Sequence, residues 1–161
     1  MIRKAVQNDV PNILEIINEV ILNTTAIYEY EPWTLVKAEK WFQKRIDSGF
    51  PIIVMEENGE FIGYGTYSSF RERIAYRFTV EHSIYIHQSH RGKGHGHTLL
   101  QELIRIAKNE KIHSMIGVVD ATNTGSIEFH KQHAFDEVGK IKEVGYKFDR
   151  WLDVVLLQRV L

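Results

Sequence analysis

The chain has no cysteine, only three prolines and no surplus of either charge: 20 lysines and arginines stand against 21 aspartates and glutamates in 161 residues. Without cysteine there is no disulfide framework, no thiol nucleophile and no thiolate metal site. A net charge of −1 argues against a general nucleic-acid binder, which needs a positive excess to neutralise phosphates, though it leaves room for a local basic patch. Long apolar runs are missing too. Stretches such as Val154 to Leu157 fall far short of the roughly 20 residues that cross a bilayer. The first residues, MIRKAVQNDVPNILEII, hold neither a signal-peptide core nor a small-residue cleavage site. The expectation is a cytoplasmic protein with no membrane attachment. No low-complexity segment or repeat divides the chain. Hydrophobic residues make up 43%, enough for one core, so residues 1–161 are read as a single domain.

Periodicity supplies the elements. Ile2 to Val6 can form a short strand, and Asn8 or Asp9 can cap a helix whose apolar residues Val10, Ile13, Leu14, Ile17, Val20 and Ile21 recur at helical spacing. Thr34 can cap a second helix that Gly49 ends. Pro51 to Glu57 and Glu60 to Ser69 flank Asn58-Gly59, a hairpin signal because both residues accept positive φ. Phe78 to His87 reads as a strand, followed by a helix with the buried stripe Leu99, Leu100, Leu103, Ile104 and Ala107. Ile112 to Val119 is a strand, Thr124 to His133 a helix opened by Asn123, and 135–144 and 149–161 are the last strands. This order predicts an α/β or α+β layer on one central sheet.

The most informative segment is Ser83 to His97, where a strand enters a loop with glycine at every second position and the loop opens a helix. Glycines let backbone approach a ligand closely, and free N–H groups at a helix start favour an anion. Arg91 and Lys93 add charge, and residues 87–97 contain no acid. A phosphate site is the natural reading. The Walker spacing is absent, as is G-x-G-x-x-G, and no acid stands where a ribose-binding residue would.

What fits is R-x-x-G-x-G, Arg91-Gly92-Lys93-Gly94-His95-Gly96, after Ile84-Tyr85-Ile86. It resembles the pyrophosphate-binding turn of the GNAT family of N-acetyltransferases, and the likeness covers nearly the whole chain. The resemblance implies that family's fold, a mixed, mostly antiparallel sheet of about seven strands flanked by four helices. It implies acetyl-CoA as acetyl donor, its diphosphate on Arg91, Gly92, Lys93, Gly94, His95, Gly96 and His97. The pantetheine arm would pair with the backbone of Ile84, Tyr85 and Ile86, in a strand that splays from its neighbour. Asn123 and Gln132 match further coenzyme contacts. Within the family, residues 79–86, 144–147, 151–154 and 28–33 look like phosphinothricin and methionine sulfoximine acetyltransferases. Those enzymes acetylate the α-amine of small amino-acid analogues and are usually dimers, which implies a homodimer acting on a small-molecule amine.

Amide formation from a thioester needs a neutral amine, and an α-amine with a pKa near 8 is largely protonated at neutral pH. A carboxylate beside the site can take that proton. The resemblance gives this role to Glu81. In place of the family's F/L-Y-x-x-x-G-F pattern stands Phe129-His130-Lys131-Gln132-His133-Ala134-Phe135, with His130 at the Tyr position, as in phosphinothricin-type enzymes. His130 is open to three roles: acid for the leaving thiolate, second base, or packed ring. The backbone N–H near Ile86 would hold the oxyanion. Arg71, Arg73 and Arg77 precede the strand, and a guanidinium matches a carboxylate or phosphinate bidentately. Arg73, Ile74, Ala75 and Val80 align with the subgroup's substrate loop, and Tyr28 and Trp33 can wall the pocket. His87, His90, His95 and His97 lack any defined metal-ligand spacing, so no metal is expected. No covalent acyl-enzyme is expected either, since no Ser–His pairing is visible. Two other readings keep the fold: acetylation of a protein or peptide amine, and a CoA-binding sensor without chemistry.

Overall fold

The computed structural model describes residues Met1–Leu161. Strands β1 (Ile2–Lys4), β2 (Ile52–Glu57), β3 (Glu60–Ser69), β4 (Thr79–Ile86), β5 (Ser114–Asp120), β6 (Asp136–Lys147) and β7 (Arg150–Val160) form one sheet, ordered β1-β2-β3-β4-β5-β7-β6. Every neighbouring pair is antiparallel except β4 and β5. The helices are α1 (Val10–Asn23), α2 (Leu35–Asp47), α3 (His95–Asn109) and α4 (Thr124–Gln132). This is the mixed sheet with four helices that the sequence predicts.

Strand alternation divides the core in two. On one face Ile13, Ile17, Ile21 and Phe42 of α1 and α2 pack with Val54 and Tyr64. On the other, Leu99, Leu100 and Leu103 of α3 pack with Ile62, Met115 and Leu157. β2 serves both, sending Ile52 and Val54 one way and Ile53 and Met55 the other. Each fully buried Ile or Leu favours the fold by roughly 1.5–3 kcal/mol, so the sheet is held rigidly from both sides. No helix is long and apolar enough to cross a membrane.

Several boundaries differ from the sequence reading. Asp9 does not cap α1 through its side chain. Its carboxylate turns back to accept from Val6 N–H at 2.7 Å and from Arg3 at 2.7 and 2.8 Å. The chain therefore leaves the sheet after Lys4, not Val6. The buried stripe of α1 includes Ile16, with Leu14 only partly covered. The final hairpin turns at Phe148 and Asp149, whose φ values are +52° and +56°, so β6 runs three residues past the expected end.

Candidate active site

β4 and β5 pair only through Thr79↔Ser114, Val80↔Met115 and Glu81↔Ile116, and beyond Glu81 they part. β4 remains on β3 to Ile86, and β5 remains on β7 to Asp120, so each side of the gap is anchored at its far edge. The free backbone groups follow from antiparallel alternation. His87 N–H donates to Ile62 O at 2.8 Å, so odd-numbered residues of β4 bond to β3. Ile84 and Ile86 therefore turn their N–H and C=O into the gap. Ala121 N–H on Asp153 O, 2.9 Å, fixes the same phase in β5 and leaves Val118 and Asp120 facing them. An unpaired strand edge is a template for any extended chain that carries amides.

The gap widens into a cavity of ≈ 480 Å³, the size of a small-molecule site. Of the expected residues, Ile84, Tyr85, Ile86, Arg91, Gly96, Asn123 and His130 line it. Val20, Thr24 and Ala26 add a wall from α1 and the loop after it, Gly117 to Asp120 another from β5. The glycine turn closes one end. Gly92 and Gly94 have φ of +76° and +84°, which side chains rarely adopt. Gly94 is the N-cap of α3 and brings no side chain to cap it, so the first N–H groups, at His95 and Gly96, lack intrahelical partners. Exposed Lys93 stands beside them. Arg91 donates to Ile86 O at 3.1 Å and pairs with Glu19, tying the turn to β4 and α1. His97 Nδ1 lies 2.7 Å from His133 Nε2 and fastens α3 to the end of α4. Asn123 accepts from Ser126 N–H at 3.0 Å, which caps α4 and leaves its amide N–H groups without a protein partner. Gln132 is exposed, outside the cavity wall. Outward backbone donors, a lysine and an open strand edge are the groups that fit a diphosphate joined to an amide-bearing arm.

Glu81 stands at the point of parting. Alternation puts it on the face of Tyr85, which meets Tyr64 at 5.5 Å between ring centroids on the α1/α2 side. Half-buried, its carboxyl is pushed above the usual range by desolvation, against the opposing pull of Arg71 and Arg45. Arg45, on α2, was not singled out in the sequence; its guanidinium lies 5.5 Å from the Trp41 ring. Arg71 stacks on Phe70 at 4.1 Å and donates to Phe70 O at 2.8 Å. Arg73, Ile74 and Ala75 occupy an exposed turn outside the cavity wall. Val80 does not join them: it is 1% exposed in the α3-side core, because neighbouring residues of one strand face opposite ways.

Tyr28 packs closely on Gly145, where a Cβ would come within 2.4 Å of the ring. Its hydroxyl faces Asp120 Oδ2 at 3.4 Å, and burial together with the Asp120 charge raises the phenol to about 12. Lys147 explains why this loop sits here. Its buried Nζ donates to Ile21 O, Thr24 O and Ile27 O at 2.6, 2.7 and 2.7 Å, pinning the segment that supplies Thr24 and Ala26 to the cavity.

His130 lies on the other face of the sheet from Glu81, against His82. The two Nε2 atoms are 3.1 Å apart, and both residues are buried. His82 is given no role in the sequence analysis, where it is one residue of the segment 79–86. Burial lowers both imidazoles, His82 to about 3, with His130 and His133 adding to the effect.

Residues 15–135 match the acetyltransferase (GNAT) family. Over 158 residues the chain is 40% identical to the L-methionine sulfoximine/L-methionine sulfone acetyltransferase of Pseudomonas aeruginosa, an overlap of 98% of this chain and 92% of that protein. A GNAT-superfamily phosphinothricin acetyltransferase from Sinorhizobium meliloti, solved with acetyl-CoA, superposes with a TM-score of 0.96 at 39% identity, over 100% of this chain and 88% of that one. A ribosomal-protein-alanine N-acetyltransferase from Brucella melitensis superposes with a TM-score of 0.98 at 39% identity, over 100% and 99%.

Proposed function

The chain belongs to the GNAT family of acetyltransferases, and from that premise we propose that it acetylates the primary amine of a small amino-acid-like substrate of the phosphinothricin, methionine sulfoximine or methionine sulfone type. Acetyl-CoA supplies the acetyl group as a thioester. The observation that carries the reading is the parting of β4 from β5 immediately past Glu81, which sets an open strand edge beside a carboxylate of raised pKa.

Ile84, Tyr85 and Ile86 line the pantetheine arm, and the N–H of Ile84 is its donor. The N–H of Ile86 donates to the carbonyl oxygen as negative charge develops on it. The turn from Arg91 to His97 holds the diphosphate, Asn123 donates to the coenzyme with its free amide N–H, and Gln132 contacts it from outside the cavity. Glu81 takes one proton from the substrate ammonium. The freed amine forms the C–N bond as the C–S bond breaks, and its second proton ends on the sulfur. Tyr28, Arg71, Arg73, Ile74 and Ala75 form the rim that orients the amino acid, with a guanidinium on its carboxylate.

The protein works as a cytoplasmic homodimer in this reading. Tyr146 and Trp151, exposed and 5.0 Å apart between ring centroids on the β6–β7 hairpin, offer an apolar patch for the second copy. A second reading, acetylation of a protein amino terminus, draws on the name of the Brucella relative. Mass spectrometry of products from methionine sulfoximine, methionine sulfone, phosphinothricin, polyamines and peptide amines separates the two. Acetylation at the α-nitrogen of the amino-acid analogues is expected. Product on peptides alone favours the second reading, and coenzyme binding without product makes the chain a CoA-binding sensor.

A further inference from the structure

The next pair in the β4–β5 register after Glu81↔Ile116 would be His82 opposite Gly117, and it is there that the strands separate. Gly117 has no side chain, and the space a Cβ would fill is taken: it would lie 2.6 Å from His130 Nε2 and 3.4 Å from His82 Nε2. The two imidazoles thus meet over the β5 backbone, one rooted in β4 and the other in α4. Both line the cavity.

The hydrogen-bond direction follows from the partners. His130 Nδ1 is 2.6 Å from Ser126 O, a carbonyl that only accepts, so Nδ1 carries the ring proton. In a neutral ring Nε2 is then a lone pair, and the N–H it accepts, at 3.1 Å, belongs to His82 Nε2. His82 Nδ1 is in turn deprotonated, and it is buried without any partner. A charged imidazole would leave a proton there with no acceptor, beside Phe135 and the further histidine His133, with Phe129 against the His130 ring. No carboxylate stands against the pair to offset a charge: Glu81 and Asp120 both lie on the other face of the sheet, Asp120 facing the Tyr28 hydroxyl and accepting from Thr122 N–H.

We propose that His82 is a positioning residue for acetyl transfer. Its N–H on His130 Nε2, passed over Gly117, locks a neutral imidazole pair that fixes the place and width at which β4 leaves β5. His130 Nε2 then has no proton to give a leaving thiolate, and the proton on Nδ1 is held by Ser126 O. Its work is to hold the gap into which the thioester must reach, and the pair acts on the reaction through geometry. The inference rests on the gap being the acyl site, but the proton positions do not.

Two measurements test it. Nitrogen-15 NMR of the histidine side chains, on the wild-type protein without substrate, is expected to show His130 as the Nδ1–H tautomer and His82 as the Nε2–H tautomer. Neither should titrate from about pH 5.5 to 8.5, a window spanning the ordinary histidine value. Protonation of either ring in that window overturns the proposal, whatever the enzyme's substrate. The second compares His82→Phe, which keeps a ring but loses the N–H, with His82→Gln, which restores a donor of similar reach. The expected result is a fall in kcat of about 10- to 100-fold for the Phe variant, an unchanged pH-profile shape, and recovery of most of the loss by Gln. An equal loss in both variants, with both folded, contradicts positioning and returns the pair to acid–base chemistry. If no amine is a substrate at all, acetyl-CoA affinity replaces kcat as the readout, so failure of the functional reading remains distinguishable from failure of this one.

Discussion

At Glu81, burial works against ionisation and in favour of basicity. The carboxyl must be ionised to accept a proton, so activity should fall as pH drops through a value above the ordinary carboxylate range. The Glu81→Gln variant should lose about 10²- to 10⁴-fold in kcat while keeping its acetyl-CoA affinity, which steady-state kinetics and calorimetry check separately. A group whose folded pKa is raised favours folding only while protonated, so at neutral pH the same substitution should raise Tm. Asp9 has the opposite sign. Burial opposes its charge, but the hydrogen bonds from Arg3 and Val6 N–H prevail and lower its pKa. The stability it contributes is complete above its unfolded value and is lost as pH falls through the folded one. Asp9→Asn should therefore flatten the acid end of a denaturation-against-pH curve, below about pH 4. Some residues were legible because their chemistry is local: Asn123 as a cap, Gly94 in a turn. His82 and Asp120 were not, since a polar side chain on an inward strand position looks like packing until its partner from another element is known.

Elements with their own start and stop signals were read within a residue or two. Thr34 accepts from Lys37 N–H at 3.2 Å and opens α2 as expected, and Asn58 and Gly59 both take positive φ between β2 and β3. The sequence puts the β6–β7 connection at 145–148, too early, because Phe148 and Asp149 adopt left-handed φ without a glycine to mark the turn, and the long pairing on either side enforces it. In the proposed function the glycine turn acts through its backbone. Gly94→Ala should strain φ by roughly 1–2 kcal/mol and weaken acetyl-CoA binding in calorimetry, with a smaller effect on the KM of the amine. Lys147→Met would leave three carbonyls, of Ile21, Thr24 and Ile27, without their buried donor. The expected outcome is a lower Tm together with a raised KM for the amine, because the loop that carries Tyr28 loses its anchor.

For the whole molecule, the fold follows from two amphipathic helix pairs that need opposite faces of one sheet. The functional reading follows from where that sheet fails to close. The sequence carried the first as periodicity and the second only through its glycine turn, because a gap between strands is a property of pairing and leaves no mark on either strand alone. The proposed substrate rim was the least legible part. Arg73, Ile74 and Ala75 are exposed and lie outside the cavity wall, so nothing in the chain beyond the alignment of a loop specified them. The most direct measurement is thiol release from acetyl-CoA with methionine sulfone as acceptor, comparing wild type with Glu81→Gln. Turnover in the wild type that collapses in the variant, with coenzyme binding intact in both, is the predicted result. Binding of acetyl-CoA with no thiol release in the wild type, or equal release in both proteins, would contradict it.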